Sequence, residues 1–364
     1  MTDGRIGVGI VGANVRYGWG TRAHLPALSR LPEFEVRAVA NAHLDTAQQT
    51  ADRFGIPAAY DGFEALIADP TVDLVVVSVR VPGHFAPAMA ALQAGKHVFC
   101  EWPLAVNLDQ ATQLRDAAQR QGVVAHVGLQ GRSNPEMRRA RDLIANGYIG
   151  DLLSCTMVST VTGAGVRTPD NTYLADVTTG ATVLTISAGH SLDSLRFVLG
   201  EFSEVSAIVS TQVPRVSVTG TDEIIHATAP DNIAVKGRLR NGAVVSAHIQ
   251  SVPLFGTGLF FEIHGTEGAL VLRSEGSTNI GDMTLVGARR GDAALAPLPP
   301  DAAYAVDTTF EAGAPANVGA QYRDILRAIR TGERVEPDFE TAVELHRLID
   351  AIQQASDTGT RQLV

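Results

Sequence analysis

Between residues 5 and 128, short β-branched runs alternate with stretches whose apolar residues recur at helical spacing, and few folds accept that alternation. The runs Arg5–Val11, Glu35–Ala40, Asp73–Val79, His97–Cys100 and Val123–Leu129 predict strands. Between them Ala47–Phe54, Phe85–Gln93 and Asp109–Arg120 predict helices. Strands joined through helix-length connections pair in parallel, because a tight turn only reverses the chain. The first 130 residues are therefore expected to form a parallel sheet of βαβ units.

After residue 150 the texture changes. Leu152–Thr162, Glu204–Val213, Ile233–Leu239, Ala243–Ser251, Leu259–His264 and Ala269–Arg273 read as strands separated by Gly, Pro or Asn-Gly. Asn241-Gly242 marks a hairpin and His264–Gly268 a second turn. A helix over Pro135–Asn146 ends at Gly147, a long helix over about Val183–Leu199 interrupts the strands, and Asp292–Pro300 reads as a surface loop. Helices over Ala316–Arg330 and Glu340–Ser356 close the chain. These elements imply an α+β domain with an open, largely antiparallel sheet over 131–335, and a C-terminal segment, 336–364. An open sheet leaves one face to be covered, so a homo-oligomer, dimer or tetramer, is expected.

Composition narrows the partners. A net charge of −10 without a basic run excludes nucleic acid as a direct partner. No stretch approaches the ~20 apolar residues of a membrane span, and no leader precedes the first strand, so a cytoplasmic location is expected. Two cysteines, Cys100 and Cys155, make no disulfide framework, and the ten histidines show no metal-ligand spacing, so no metal is expected.

The segment Gly9-Ile10-Val11-Gly12-Ala13-Asn14 follows the first strand. In the fingerprint G-x-G-x-x-G, glycines let backbone N–H groups and a helix N-terminus approach a pyrophosphate. Here Gly12 is in place, Asn14 holds the second glycine position, and a longer loop with Gly18 and Gly20 precedes a helix starting near Thr21. The βαβ context makes this a Rossmann-type domain that takes a dinucleotide, with the ligand at the carboxyl ends of the strands. Strand two ends at Asn41, where an Asp or Glu would select NAD; Asn41 neither repels nor strongly attracts a 2′-phosphate, so NAD and NADP stay open. Arg16, Arg22 and His43 are the nearby cationic or titratable groups.

Four further motifs, together with the Gly-rich start, resemble the glucose–fructose oxidoreductase/inositol dehydrogenase (Gfo/Idh/MocA) family over nearly the whole chain. They are Val81-Pro82-Gly83-His84, Ala94-Gly95-Lys96-His97-Val98 running into Glu101-Trp102-Pro103, Gly189-His190-Ser191-Leu192-Asp193, and Pro337-Asp338-Phe339-Glu340 opening the last helix. The resemblance implies that Gly12, Asn14, Val15, Trp19, Asn41, Ser78, Val79, Pro82, His84, Glu101, Trp102 and Gln130 line the cofactor, and that the last helix packs back on the first domain. It also implies a small-molecule substrate contacted by Trp102, Arg132, Tyr173, His190 and Asp193.

The family has Glu-Lys-Pro where this chain has Glu101-Trp102-Pro103, and an Asp where it has Ile186. The lost lysine handles the substrate proton; an indole has no base to replace it. His190 and Tyr173 are then the candidate catalytic groups, since an unperturbed imidazole titrates near ~6.5. Each also admits a plain structural role: His190 hydrogen-bonded on its helix, Trp102 plugging the substrate space, Asp193 in a helix ion pair, Arg132 sealing the domain junction. Glu-Trp, the extended loop from Gly12 through Trp19 to His24, and Leu129-Gln130-Gly131-Arg132 look most like the family's fungal galactose-regulon repressors, which bind the dinucleotide yet act as regulators. Three expectations follow. The first is an NAD(P)-dependent oxidoreductase of carbohydrate-like hydroxy or keto compounds. The second is a cofactor-binding regulator, and the third a net non-redox reaction on tightly held cofactor.

Overall fold

The computed structural model describes residues 4–15, 18–300, 304, 310 and 313–364; Arg16 lies outside the described residues. The chain forms two compact units, Met1–Leu129 with Val306–Glu344, and Gln130–Ala305 with Leu345–Val364. This differs from the expected 1–130, 131–335 and 336–364. The helix Ala314–Thr331 groups with the first unit, and the last helix, Phe339–Thr358, runs through the division. The reason is apolar: Val318, Tyr322 and Ile325 of the former are fully buried in the first unit's core.

The first unit is built on six parallel strands, β1 (Ile6–Val11), β2 (Phe34–Asn41), β3 (Ala58–Asp61), β4 (Leu74–Val77), β5 (His97–Glu101) and β6 (Ala125–Gly128), in the order β3-β2-β1-β4-β5-β6. Strands β1 and β4 are buried along their whole length, as strands covered on both faces must be. The order reverses between β1 and β4, and a ligand of such a sheet sits outside the carboxyl ends at that switch point. Strand β3 was not expected from the sequence. It is four half-buried or exposed residues, Ala-Ala-Tyr-Asp, at the sheet edge, with no β-branched signal to betray it.

The second unit carries β7 (Leu152–Thr162), β8 (Val166–Arg167), β9 (Phe202–Ser210), β10 (Arg215–Val218), β11 (Ile224–His226), β12 (Asn232–Leu239), β13 (Val244–Val252), β14 (Gly258–Gly265), β15 (Gly268–Ser274), β16 (Thr284–Arg289), β17 (Ala296–Pro297) and β18 (Gln362–Leu363). Nine of them form one sheet, β17-β16-β15-β14-β7-β13-β12-β9-β18, antiparallel except for the pair β7/β13. Strands β8, β10 and β11 make a small separate sheet. The Asn241-Gly242 hairpin forms as expected, with Gly242 at φ +95°, a value that β-carbon-bearing residues rarely adopt. The expected long helix has two regimes: Val183–Ala188 winds as a π-helix, capped reciprocally by Thr182 and Thr185, and Gly189–Leu199 continues as α-helix. Among the described residues no helix is long and apolar enough to cross a membrane.

Candidate functional site

Gly12 ends β1 at the switch point. Its φ of +99° is a glycine conformation, and the space is closed as well: a β-carbon would lie 2.6 Å from Val79 Cγ1 and 2.7 Å from the Ser78 carbonyl oxygen. The strand ends of β1 and β4 therefore touch backbone to backbone here. The loop after Gly12 is tied down by its own side chains. Asn41 Nδ2 and Thr50 Oγ1 both donate to the Ala13 carbonyl, at 2.9 and 2.8 Å, and Thr21 Oγ1 lies 3.0 Å from the carbonyl of Asn14. Gly20 packs against the same turn, where a β-carbon would lie 2.9 Å from the Gly12 oxygen. Asn41 thus spends its amide on the turn itself.

Two polar atoms beside this turn are buried without a hydrogen-bond partner, the Ser78 hydroxyl at the end of β4 and the Trp19 indole N–H. A buried polar group without a partner costs roughly 1–3 kcal/mol. A turn closed to side chains, with Ser78 unsatisfied at the switch point, fits a dinucleotide whose phosphates approach the backbone. Val15 and Asn14 stay half-exposed on the same loop, and Pro82 sits within the short helical turn Val81–Gly83 that follows Val79. His84 has a different duty. Its Nδ1 and Nε2 face the carbonyls of Pro103 and Val79 at 2.8 and 2.9 Å, so the ring joins the end of β4 to the segment after Trp102. Burial pushes its imidazole below the usual range, against the pull of those carbonyls.

Glu101 ends β5 and Trp102 follows it. Trp102 is only 5 % exposed. The Glu101 carboxylate meets a residue to which the sequence assigned no role: His24 Nε2 lies 2.8 Å from Glu101 Oε1, and His24 Nδ1 lies 2.8 Å from the Tyr322 hydroxyl. Burial, and then the Glu101 charge, push the Cys100 thiol and the Tyr322 hydroxyl well above their usual ranges, so both stay protonated. Cys100 is accordingly no nucleophile.

The remaining candidates belong to the second unit. Gln130 and Arg132 lie in the turn Gln130–Ser133, packed on the helix Gly189–Leu199; a β-carbon on Gly131 would lie 2.5 Å from Ser194 Oγ. His190 is buried in the first turn of that helix, and its carbonyl accepts from Ser194 Oγ at 2.9 Å. Tyr173 is half-buried in the helical turn Pro169–Ala175, which packs on the small β8-β10-β11 sheet.

Arg132 and Asp193 meet each other. Arg132 donates from Nε and Nη2 to the Asp193 carboxylate at 2.9 and 2.7 Å, both side chains nearly inaccessible, with Arg196 3.9 Å away. Asp193→Ala is expected to destabilise the protein by about 3–5 kcal/mol, because it strands a buried guanidinium. Denaturant unfolding checks this, and a midpoint equal to wild type would show that the pair contributes nothing. Among the described residues no group of three or more His, Cys, Asp or Glu is arranged to hold a metal ion.

Comparison with known proteins agrees with this geometry. Residues 6–129 match the profile of the oxidoreductase family with an NAD-binding Rossmann fold (GFO_IDH_MocA), and residues 135–274 match that of the Gal80p C-terminal domain. Relatives include the galactose/lactose metabolism regulatory protein GAL80 of Saccharomyces cerevisiae, 31 % identical over 80 % of this chain and 72 % of its own. Dehydrogenase aclE of Aspergillus oryzae is 34 % identical over 73 % of this chain and 76 % of its own. Levoglucosan dehydrogenase, solved with NADH and levoglucosan, superposes with a TM-score of 0.88 at 25 % identity over 99 % of both chains. With the glycine turn at a 3-2-1-4-5-6 switch point and relatives of this likeness along most of its length, the chain belongs to the Gfo/Idh/MocA oxidoreductase family and carries that family's NAD-binding Rossmann domain.

Proposed function

We propose that the protein is an NAD(P)-dependent oxidoreductase of a carbohydrate-like hydroxy or keto compound, working without the family lysine. The observation that carries this reading is the closed turn at Gly12 beside the unsatisfied Ser78 hydroxyl. Bound dinucleotide supplies the hydride acceptor or donor. The chain's own residues do the rest: the backbone from Gly12 to Asn14 seats the phosphates, Glu101 offers a hydrogen-bond acceptor, and His190 takes or returns the hydroxyl proton. Trp102 offers an aromatic face for a ring to stack on. Dehydrogenase aclE and levoglucosan dehydrogenase support an activity of this class by their likeness. The test is turnover: purified protein with NAD or NADP against a panel of sugars, polyols, anhydrosugars and their keto forms. Saturable dinucleotide binding with no turnover on any of them would favour the second reading.

That second reading is a dinucleotide-binding regulator. It is favoured by Trp102, which replaces the family's proton carrier by a group that cannot titrate, and by the match of residues 135–274 to the Gal80p C-terminal domain. Either reading includes a homo-oligomer. Across the nine-stranded sheet Ile208, Ala234, His248, Val158 and Phe260 stand in one register row, on the face opposite the buried Ile233, Ile249 and Leu259. Ile208 is 69 % exposed, an apolar residue that a second copy would cover. Light scattering is expected to give a dimer or tetramer at micromolar concentration; a monomer there would remove this part of the proposal.

A further inference from the structure

The Glu101 carboxylate sits at the carboxyl end of β5, at the edge of the cofactor's side of the sheet, and its surroundings are unusually determinate. His24 is fully buried, and both of its ring nitrogens are engaged. The Tyr322 hydroxyl, kept protonated, lies 2.8 Å from Nδ1 and can donate to it. In that arrangement Nε2 carries a hydrogen and donates to Glu101 Oε1, 2.8 Å away. His24 thus links the Tyr322 hydroxyl to Oε1 of the Glu101 carboxylate. Packing holds the same geometry: Phe99 stands edge-on to His24 and Tyr322, at centroid distances of 5.1 and 5.3 Å. Gly128 on the neighbouring strand leaves room for the carboxyl group, since a β-carbon there would lie 2.7 Å from Glu101 Cδ and 2.8 Å from Oε1.

A tie whose only duty was to join the helices at residues 20–28 and 314–331 to the sheet needs no carboxylate at a strand's ligand end; an apolar contact does that work without desolvating a charge. We infer that Tyr322 and His24 are positioning residues for the cofactor: they hold the Glu101 carboxylate as an oriented acceptor for a hydroxyl or amide N–H in the nicotinamide half of the dinucleotide. The inference deepens the proposed function and rests on its assignment of Glu101 to the cofactor. It assigns roles to two residues, 298 positions apart in the chain, that no cofactor motif contains.

The test is a double-mutant cycle read as NADH affinity, with thermal unfolding of the dinucleotide-free protein measured beside it. Glu101→Gln and His24→Leu are each expected to weaken NADH roughly 10-fold or more, the value of a hydrogen bond to a charged group. Combined, they are expected to weaken it no further than Glu101→Gln alone. His24→Gln, which keeps a side-chain N–H, is expected to recover most of the affinity that His24→Leu loses, and Tyr322→Phe, which keeps the ring packing, to lose a few-fold. If His24→Leu does not fold, His24→Gln and Tyr322→Phe carry the test, and wild-type NADH affinity in both would overturn the inference. So would losses from His24→Leu and Glu101→Gln that multiply, because the two residues would then act independently. Wild-type affinity in Glu101→Gln would instead remove the assignment of Glu101 to the cofactor.

Discussion

Gly12→Val is expected to abolish binding of NAD(H) and NADP(H), by two or more orders of magnitude. A side chain at this position meets Val79 and the Ser78 backbone at 2.6–2.8 Å, and the φ of +99° is strained for any residue with a β-carbon. The turn must then open, and opening it takes the N–H groups of the following residues away from the phosphates. Each hydrogen bond to a charged group contributes about 1.5–3 kcal/mol, so losing two accounts for roughly a hundredfold or more. Calorimetric titration of the folded variant reads the effect. The substitution also strains the fold at the junction of β1 and β4, so a circular dichroism spectrum matching wild type must accompany the binding measurement. Affinity within twofold of wild type would move the phosphates away from this turn.

His190→Ala is expected to lower turnover by roughly 10²- to 10⁴-fold, the usual contribution of a positioned acid–base group, while dinucleotide affinity changes little. The separation of the two readouts is what makes the test specific, because His190 lies in the second unit and the Gly12 turn in the first. Trp102→Lys is the complementary change. It restores the family's proton carrier beside Glu101, and some activity on simple polyols would return in a degenerate dehydrogenase, although Ile186 still lacks the orienting carboxylate. In a site shaped around the indole, the same change weakens ligand binding. Wild-type turnover in His190→Ala would remove the imidazole from the proton step and leave Tyr173 or a water to carry it.

The sequence was most legible where one residue has one physical use. Gly12 after a buried strand can be read as a phosphate turn because no other residue tolerates that geometry, and the alternating elements prescribe a parallel sheet. Strand β3 was hidden because edge strands need neither branching nor burial. The placement of Ala314–Thr331 with the first unit was hidden because its amphipathic pattern announces a helix without saying which core receives its face. The same holds for the site. His24 entered the sequence reading only as the end of the extended glycine loop, and only the fold brings Glu101 and Tyr322 to its two nitrogens. Arg132 and Asp193 carried charges that suited a ligand, but 61 residues of separation concealed that they face each other.

The order in which the chain is made runs against the order in which the units close. The core that surrounds His24 includes Phe310, Val318, Tyr322 and Ile325, so the dinucleotide-binding unit has an open side until those residues appear. At a translation rate of roughly 5–20 residues per second, the 298 residues between His24 and Tyr322 take on the order of 15–60 s to synthesise. The second unit is completed later along the chain still, because β9 pairs with β18, Gln362–Leu363. Each unit is therefore closed by residues far along the chain from those that open it, and neither can be cut out of the sequence as one continuous stretch.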